Sequence, residues 1–304
     1  MLGACSSGSG SPAKTVTVTS SAAPSSTSTS PSVSPSPSPA TGAPVHIQLK
    51  FSDGSQFGVG IPVIAFFSKA ITDASALQAV TTVKINGAPV TGGAWYFEPV
   101  AGHPGYPIEG DYRLQNYWPA HSSIFVSIPA KGLSAGTGLV FDDSLTSSFS
   151  TGPANIATVD NTTHKLTLVT DGKVEGVYPV SLGSAATPTL RGIKVIMEKG
   201  RDISMTGPGY YDPHVKFTQR LTYGGEYLHS APWNISNIDN GVNSSNGCTN
   251  LLPSNAIKLY GLLEVGDVVR YPNADGPPMA MGDGYGDWNV PWSLWLTGGA
   301  VAKI

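Results

Sequence analysis

Turn-forming residues interrupt this chain too often for long helices to run. Its 304 residues hold 36 glycines and 25 prolines, and heptads and extended 3.6-residue patterns are scarce. Between the interruptions lie short apolar or alternating runs, as expected of strands joined by tight turns. His46-Ile47-Gln48-Leu49-Lys50-Phe51 alternates with period two and meets the turn Asp53-Gly54. Val83-Lys84-Ile85 leads into Asn86-Gly87, the strongest short hairpin signal. Ile124 to Ile128, Leu139 to Phe141 and Ser147 to Ser150 add further strands. Together they predict a β-sandwich of about 100 residues, immunoglobulin-like, over 46–151.

Thr151-Gly152-Pro153 is the expected joint to a second domain over 152–273. There Leu166 to Thr170, the turn Asp171-Gly172 and Val174 to Ser181 predict a hairpin, and Ile193 to Glu198 another strand. One helix is expected near the end, capped by Ser254, with Ala256, Leu259, Tyr260 and Leu263 on one face and Gly266 as its stop. Val268-Val269-Arg270-Tyr271 reads as a closing strand. Residues 274–304 hold Trp288, Trp292 and Trp295, too concentrated for a loose tail. We read them as an extension strapped onto the second domain. The fold class is therefore mainly β, with few helices.

Residues 6–45 are almost wholly Ser, Thr, Pro, Ala, Gly and Val, with Lys14 the only charge. Such a segment buries too little apolar surface to offset its ordering entropy, so 1–45 is expected to be a disordered spacer. At its start Leu2-Gly3-Ala4-Cys5 resembles a bacterial lipobox, which implies lipidation of Cys5 and a membrane association through that anchor alone. Charged residues are 12% of the chain and the net charge is -3, which gives nucleic acid nothing to bind. A disulfide between the two cysteines, Cys5 and Cys248, conflicts with Cys5 lying in the spacer. Two thiols with separate roles are expected instead.

The chemistry concentrates in Tyr227-Leu228-His229-Ser230-Ala231-Pro232-Trp233 and Ser244-Ser245-Asn246-Gly247-Cys248-Thr249-Asn250. A thiol attacks as thiolate, and an imidazole nearby can take its proton. His229 and Cys248 are 19 positions apart, suited to two adjacent segments meeting in space. Gly247 lets a carbonyl approach the backbone, where the Gly247 and Cys248 N–H groups could hold an oxyanion. If His229 activates Cys248 at rest, the thiol should alkylate faster than a free cysteine at pH 7. By themselves, one cysteine and one of six histidines leave catalysis and coincidence both open. With no Cys/His cluster, no metal or other cofactor is expected.

These residues resemble the L,D-transpeptidases (YkuD fold), which cross-link peptidoglycan. That family carries a His, a spacer, then Ser/Thr-His-Gly-Cys, any residue, and Asn. Here His229 precedes the sixteen residues 230–245, and Ser245, Gly247, Cys248 and Asn250 match. His229-Ser230-Ala231-Pro232-Trp233, the segment Gly286 to Trp292 and a leading β-sandwich are similar to the mycobacterial members. The usual His is replaced by Asn246, which can donate a hydrogen bond but cannot carry a proton near neutral pH.

The resemblance implies that Cys248 attacks the third stem residue of a donor tetrapeptide and releases D-Ala. The thioester then passes to an amine on a second stem, giving a 3→3 cross-link, with His229 moving the protons. It implies that the Ser230 carbonyl orients His229 and that Tyr211 covers the donor site. Met205 and Tyr210 would belong to a lid, and Asn250 would contact or brace the site. Asn246 is expected beside the substrate, and Trp233 is either core or a site wall. Peptidoglycan stem peptides and carbapenem β-lactams are the implied partners, at the outer face of the cytoplasmic membrane. An L,D-carboxypeptidase and a non-catalytic cell-wall binding protein are the alternatives.

Overall fold

The computed structural model describes residues 40–100, 103–207, 210–285 and 287–304. Cys5 and the spacer up to residue 39 lie outside the described residues. The first domain is two sheets. Five strands run in the order Ser55–Phe57, Leu145–Thr151, Ser123–Ile128, Thr82–Ile85 and Ala88–Val90. Four run in the order Ile47–Leu49, Val63–Phe67, Ile108–Arg113 and Ala94–Pro99. Burial follows the alternation in the sequence: Ile124, Val126 and Ile128 are buried, and Ser123 and Phe125 face solvent. Asn86 and Gly87 both take left-handed φ, 52° and 80°, and Ile85 pairs with Ala88, so the predicted two-residue turn is formed. Trp95, Phe67, Phe97 and Phe141 fill the core.

Order begins before position 46. Ala43–Val45 pairs in parallel with Leu139–Phe141, and Val45 is fully buried. Composition alone placed 43–45 in the spacer, because Ala, Pro and Val there are indistinguishable from the preceding tail. A buried partner strand decides the matter.

The second domain is built on one nine-stranded sheet. Its order is Gly192–Val195, Val268–Tyr271, Asn155–Asp160, Lys165–Thr170, Lys173–Ser181, Thr249–Leu251, Tyr227–Ser230, Tyr210–Arg220 and Glu198–Gly207. Val268–Tyr271 therefore sits inside the sheet, paired on both sides. The single strand expected over 193–198 is two, because Ile196 and Met197 break it. These two pieces are the opposite edges of the sheet. Two residues span only about 10 Å, so the sheet curls until its edges approach. Pro253–Leu262 is the expected helix, but Pro253 at its first position starts it and Ser254 makes no cap. Ala256, Leu259 and Leu263 pack into the domain core.

The C-terminal segment does not lie on the second domain alone. Asn289 there exchanges two side-chain hydrogen bonds with the backbone of Ile193, both 2.7 Å, which occupies an exposed sheet edge. The segment then crosses to the sandwich. Trp288 Nε1 donates to the Gly60 carbonyl at 2.8 Å and Trp295 Nε1 to the Ala94 carbonyl at 2.9 Å. Phe97 and Gly298 to Ala300, and Thr72, Ala74 and Ala302 to Lys303, continue the backbone pairing. The tryptophans surround Arg113 of the sandwich, whose guanidinium lies 4.4, 5.2 and 4.1 Å from the rings of Trp288, Trp292 and Trp295. Arg113 is 2% exposed, so these contacts are desolvated and strong. Replacing Arg113 with Ala should destabilise the protein by about 2–4 kcal/mol. Denaturant unfolding checks this; an unchanged midpoint would mean that the tryptophans pack as well without the cation.

Candidate active site

Cys248 stands at the end of a loop that only glycine could complete. Gly247 has φ 107°, a conformation closed to most side chains. Ser245 locks the turn, since its Oγ accepts from the Gly247 N–H at 3.2 Å and donates to the Cys248 carbonyl at 2.5 Å. A second loop staples the first from outside. Thr187 Oγ1 donates to the Ser245 carbonyl at 3.0 Å and Thr189 Oγ1 to the Gly247 carbonyl at 2.8 Å. Because the Gly247 N–H is already engaged, the expected pair of oxyanion amides reduces to the one at Cys248.

His229 enters from the neighbouring strand. Tyr227–Ser230 and Thr249–Leu251 are parallel, with His229 in register with Asn250. Neighbours in register point to the same face, so the imidazole and the Asn250 amide stand side by side. His229 Nδ1 lies 2.9 Å from the Ser230 carbonyl. A carbonyl only accepts, so Nδ1 carries the proton and Nε2 keeps its lone pair. The ring is 4% exposed, and burial pulls its pKa below the ordinary value against the opposing pull of the Ser230 carbonyl and Asp212. It is neutral near pH 7. Trp233 stacks over it at 5.9 Å and 27°. At 59% exposure, Trp233 is a wall of the site and not core.

The thiol is also protonated at rest. Burial pushes the Cys248 pKa up to about 12; the Tyr227 backbone N–H and Lys194 pull it down, and Glu226 and Asp212 push it further up. Sγ donates to the Gly225 carbonyl at 3.6 Å. Among the described residues no hydrogen bond joins Sγ to the imidazole. The resting sulfur is thus a thiol, because desolvation outweighs every favourable charge. Cys248 and His229 still open onto one cleft of about 210 Å³, walled by Met205, Tyr210, Asp212, Trp233, Asn234, Asn237, Ser244, Ser245, Asn246 and Asn250.

Most of the sequence-derived residues meet there. Met205 and Tyr210 come from the hairpin of Glu198–Gly207 with Tyr210–Arg220. Asn246 is exposed at the rim. Asn250 lines the cleft but is 3% exposed, and its Oδ1 is buried without a protein partner. Tyr211 is the exception. Strand alternation puts Tyr210 and Asp212 on the cleft face and Tyr211 on the outer one, where it is 64% exposed with its hydroxyl near Ser204 Oγ. A spacing counted along the chain cannot choose between adjacent tyrosines.

Sequence reasoning missed Asp212, Asn234, Asn237 and Ser244. Asn234 Nδ2 donates to Ser244 Oγ at 2.8 Å and Asn237 Nδ2 to Asn234 Oδ1 at 2.7 Å, forming a polar floor. The density of Asn and Ser over 234–246 was its only signal. His214, on the same hairpin, pairs with Asp202 at 3.2 Å and faces solvent.

Residues 154–270 match the L,D-transpeptidase catalytic domain (YkuD), and residues 6–134 match a bacterial Ig domain. L,D-transpeptidase 2 of Mycobacterium tuberculosis (strain CDC 1551 / Oshkosh) is 32% identical over 274 residues, 86% of this chain and 65% of its own length. L,D-transpeptidase 5 of M. tuberculosis (strain H37Rv) is 29% identical over 264 residues, 84% of this chain and 57% of its own. The chain thus spans about three-fifths of the length of these two relatives. The solved structure of LD transpeptidase LdtMt1 in complex with imipenem superposes with a TM-score of 0.59 at 28% identity, over 74% of this chain and 97% of that one. The Cys–His cleft lies in the C-terminal half of the segment that matches the L,D-transpeptidase catalytic domain, and the segment that matches a bacterial Ig domain precedes it.

Proposed function

We propose that this chain is a peptidoglycan L,D-transpeptidase that forms 3→3 cross-links through a Cys248 thioester. The observation that carries the reading is a neutral imidazole with a free Nε2 and a buried thiol opening onto one cleft. His229 Nε2 takes the Sγ proton as sulfur bonds to the donor carbonyl, the third residue of a tetrapeptide stem. The charge that develops on the carbonyl oxygen falls to the Cys248 N–H. The intermediate collapses, the imidazolium returns its proton to the departing D-Ala amine, and a thioester remains. An amine on a second stem attacks it, His229 accepts the excess proton, and the thiol is restored. Both partners begin neutral, so charge separates only during attack, inside a site that solvates charge poorly. Fixed dipoles therefore matter more here than for a preformed ion pair.

Asn250 braces the site beside His229, and Asn246 offers an amide N–H₂ at the rim where the family more often has His. Met205 and Tyr210 form the lid. Cys5, by the lipobox resemblance, would hold the enzyme at the outer face of the membrane, its spacer carrying the domains toward the wall.

Three measurements test this. With disaccharide-tetrapeptide, mass spectrometry should find a dimer lacking one D-Ala, abolished by Cys248→Ser. Tripeptide alone would mean a carboxypeptidase, and no reaction would favour a wall-binding protein. Intact-mass analysis with imipenem should give one adduct per chain, lost in the same variant; inertness of a folded protein would count against the family's chemistry operating here. Iodoacetamide should alkylate Cys248 more slowly than a free cysteine at pH 7, with a rate still climbing above pH 10. His229→Ala should leave that profile nearly unchanged while abolishing acyl transfer. Fast alkylation at pH 7 that disappears in His229→Ala would instead establish a resting thiolate–imidazolium pair.

A further inference from the structure

Beneath the nucleophile loop lies a buried charge pair that the acyl-transfer steps do not use. Lys194, on Gly192–Val195, is fully buried, and its ammonium is paired with Glu226 Oε2. Glu226 Oε1 accepts from the Leu190 N–H at 2.7 Å. The Lys194 ammonium also lies 3.9 Å from the centre of the Tyr271 ring, and the Tyr271 hydroxyl is 2.7 Å from Thr249 Oγ1. Glu226 sits between Gly225, whose carbonyl receives the thiol, and Tyr227, whose N–H faces the sulfur. Its carboxylate lies 3.5 Å from where a Cβ on Gly247 would be. The pair thus touches the cysteine's surroundings by three routes: the 225–227 segment, Gly247, and Thr249 through Tyr271.

For stability alone such a pair is a poor choice, because desolvating two ions offsets most of their attraction and apolar residues of equal volume do as well. We propose that Lys194 and Glu226 are positioning residues for Cys248: they hold the Gly225 carbonyl on the thiol, and the Glu226 charge sets how readily it releases its proton. The role rests on Cys248 being the nucleophile. Burial draws the Lys194 pKa down and the Glu226 pKa up, and their mutual attraction opposes both shifts. The Tyr271 ring and the Leu190 N–H favour the ionised forms. The other titratable groups facing the sulfur are Asp212, His229, Tyr210, Tyr227 and Tyr271, with Asp283 beyond the pair.

The sign of the charge gives a test that a structural role would not pass. Glu226→Gln keeps an acceptor for Leu190 and removes the anion, and Lys194, buried without its counter-ion, is neutral at the alkaline pH where the thiol titrates. The pH midpoint of iodoacetamide alkylation, read by intact mass, should fall by about one unit. Lys194→Met leaves the anion that the parent also carries at that pH, and the midpoint should stay near the parent's. The double variant, Lys194→Met with Glu226→Gln, should fall as Glu226→Gln does. It also serves as the control should either single variant fail to fold: its imipenem acylation should then be slower than the parent's by about tenfold, through loss of the tether. A midpoint that stays put or rises in folded Glu226→Gln, or parent-like acylation in the double variant, would overturn the proposal. Alkylation needs no peptidoglycan, so failure here is separable from failure of the transpeptidase reading.

Discussion

A three-residue parallel ladder decides whether this chain has a site at all. Leu228, His229 and Ser230 lie beside Thr249, Asn250 and Leu251, and the chain between them crosses over through the short helix Ile235–Asn240. A slip of one residue would turn His229 to the opposite face and bring Leu228 or Ser230 into the cleft. The register is held from both sides, because Leu228 and Leu251 are buried in the domain core and Ala231 continues the pairing with Leu251. Core packing thus fixes the placement of a proton acceptor, with no polar contact needed between the two reacting groups.

Burial then determines the protonation of both. The same desolvation that keeps His229 neutral keeps Cys248 a thiol, so the site rests uncharged at its centre while Lys194, Glu226 and Asp212 surround it. This arrangement lowers the chance of an unselective reaction with small electrophiles. It also shifts the burden of activation onto the bound substrate, whose carbonyl must polarise before the proton moves. Asn246 fits such a site, since a second imidazole at the rim would add a titratable group close to a reaction that begins from neutral partners.

Much of this was legible in the sequence, for physical reasons that differ by element. Strand alternation and the Asn86-Gly87 and Asp171-Gly172 turns are local properties, and they were read correctly because period and φ depend on few neighbours. His229, Cys248, Gly247 and Asn250 were legible through their spacing and their resemblance to a known motif. Long-range geometry was less accessible. Nothing near residue 193 announces that its strand will break so that two pieces can form opposite sheet edges. Tyr210 and Tyr211 were both placed at the site, because chain spacing does not encode which face of a hairpin points inward. The thiol's resting state was not legible, since a motif carries no information about desolvation. Lys194 and Glu226, 32 positions apart, gave no signal in either chain context.

The path of the C-terminal segment bears on how the protein is made. Ala74, deep in the sandwich sequence, donates its backbone N–H to the carbonyl of Lys303, and Arg113 waits for tryptophans nearly two hundred residues later. The sandwich comes first in the chain but cannot close this seam until the last residues have joined it. Until then Trp95, Phe97 and their neighbours pack behind an incomplete wall, and the cage around Arg113 is open. Contacts of such sequence separation form late and slow folding. The last thirty residues therefore complete the N-terminal domain: without them Arg113 loses its ring contacts and Ala94 and Phe97 lose their hydrogen-bond partners.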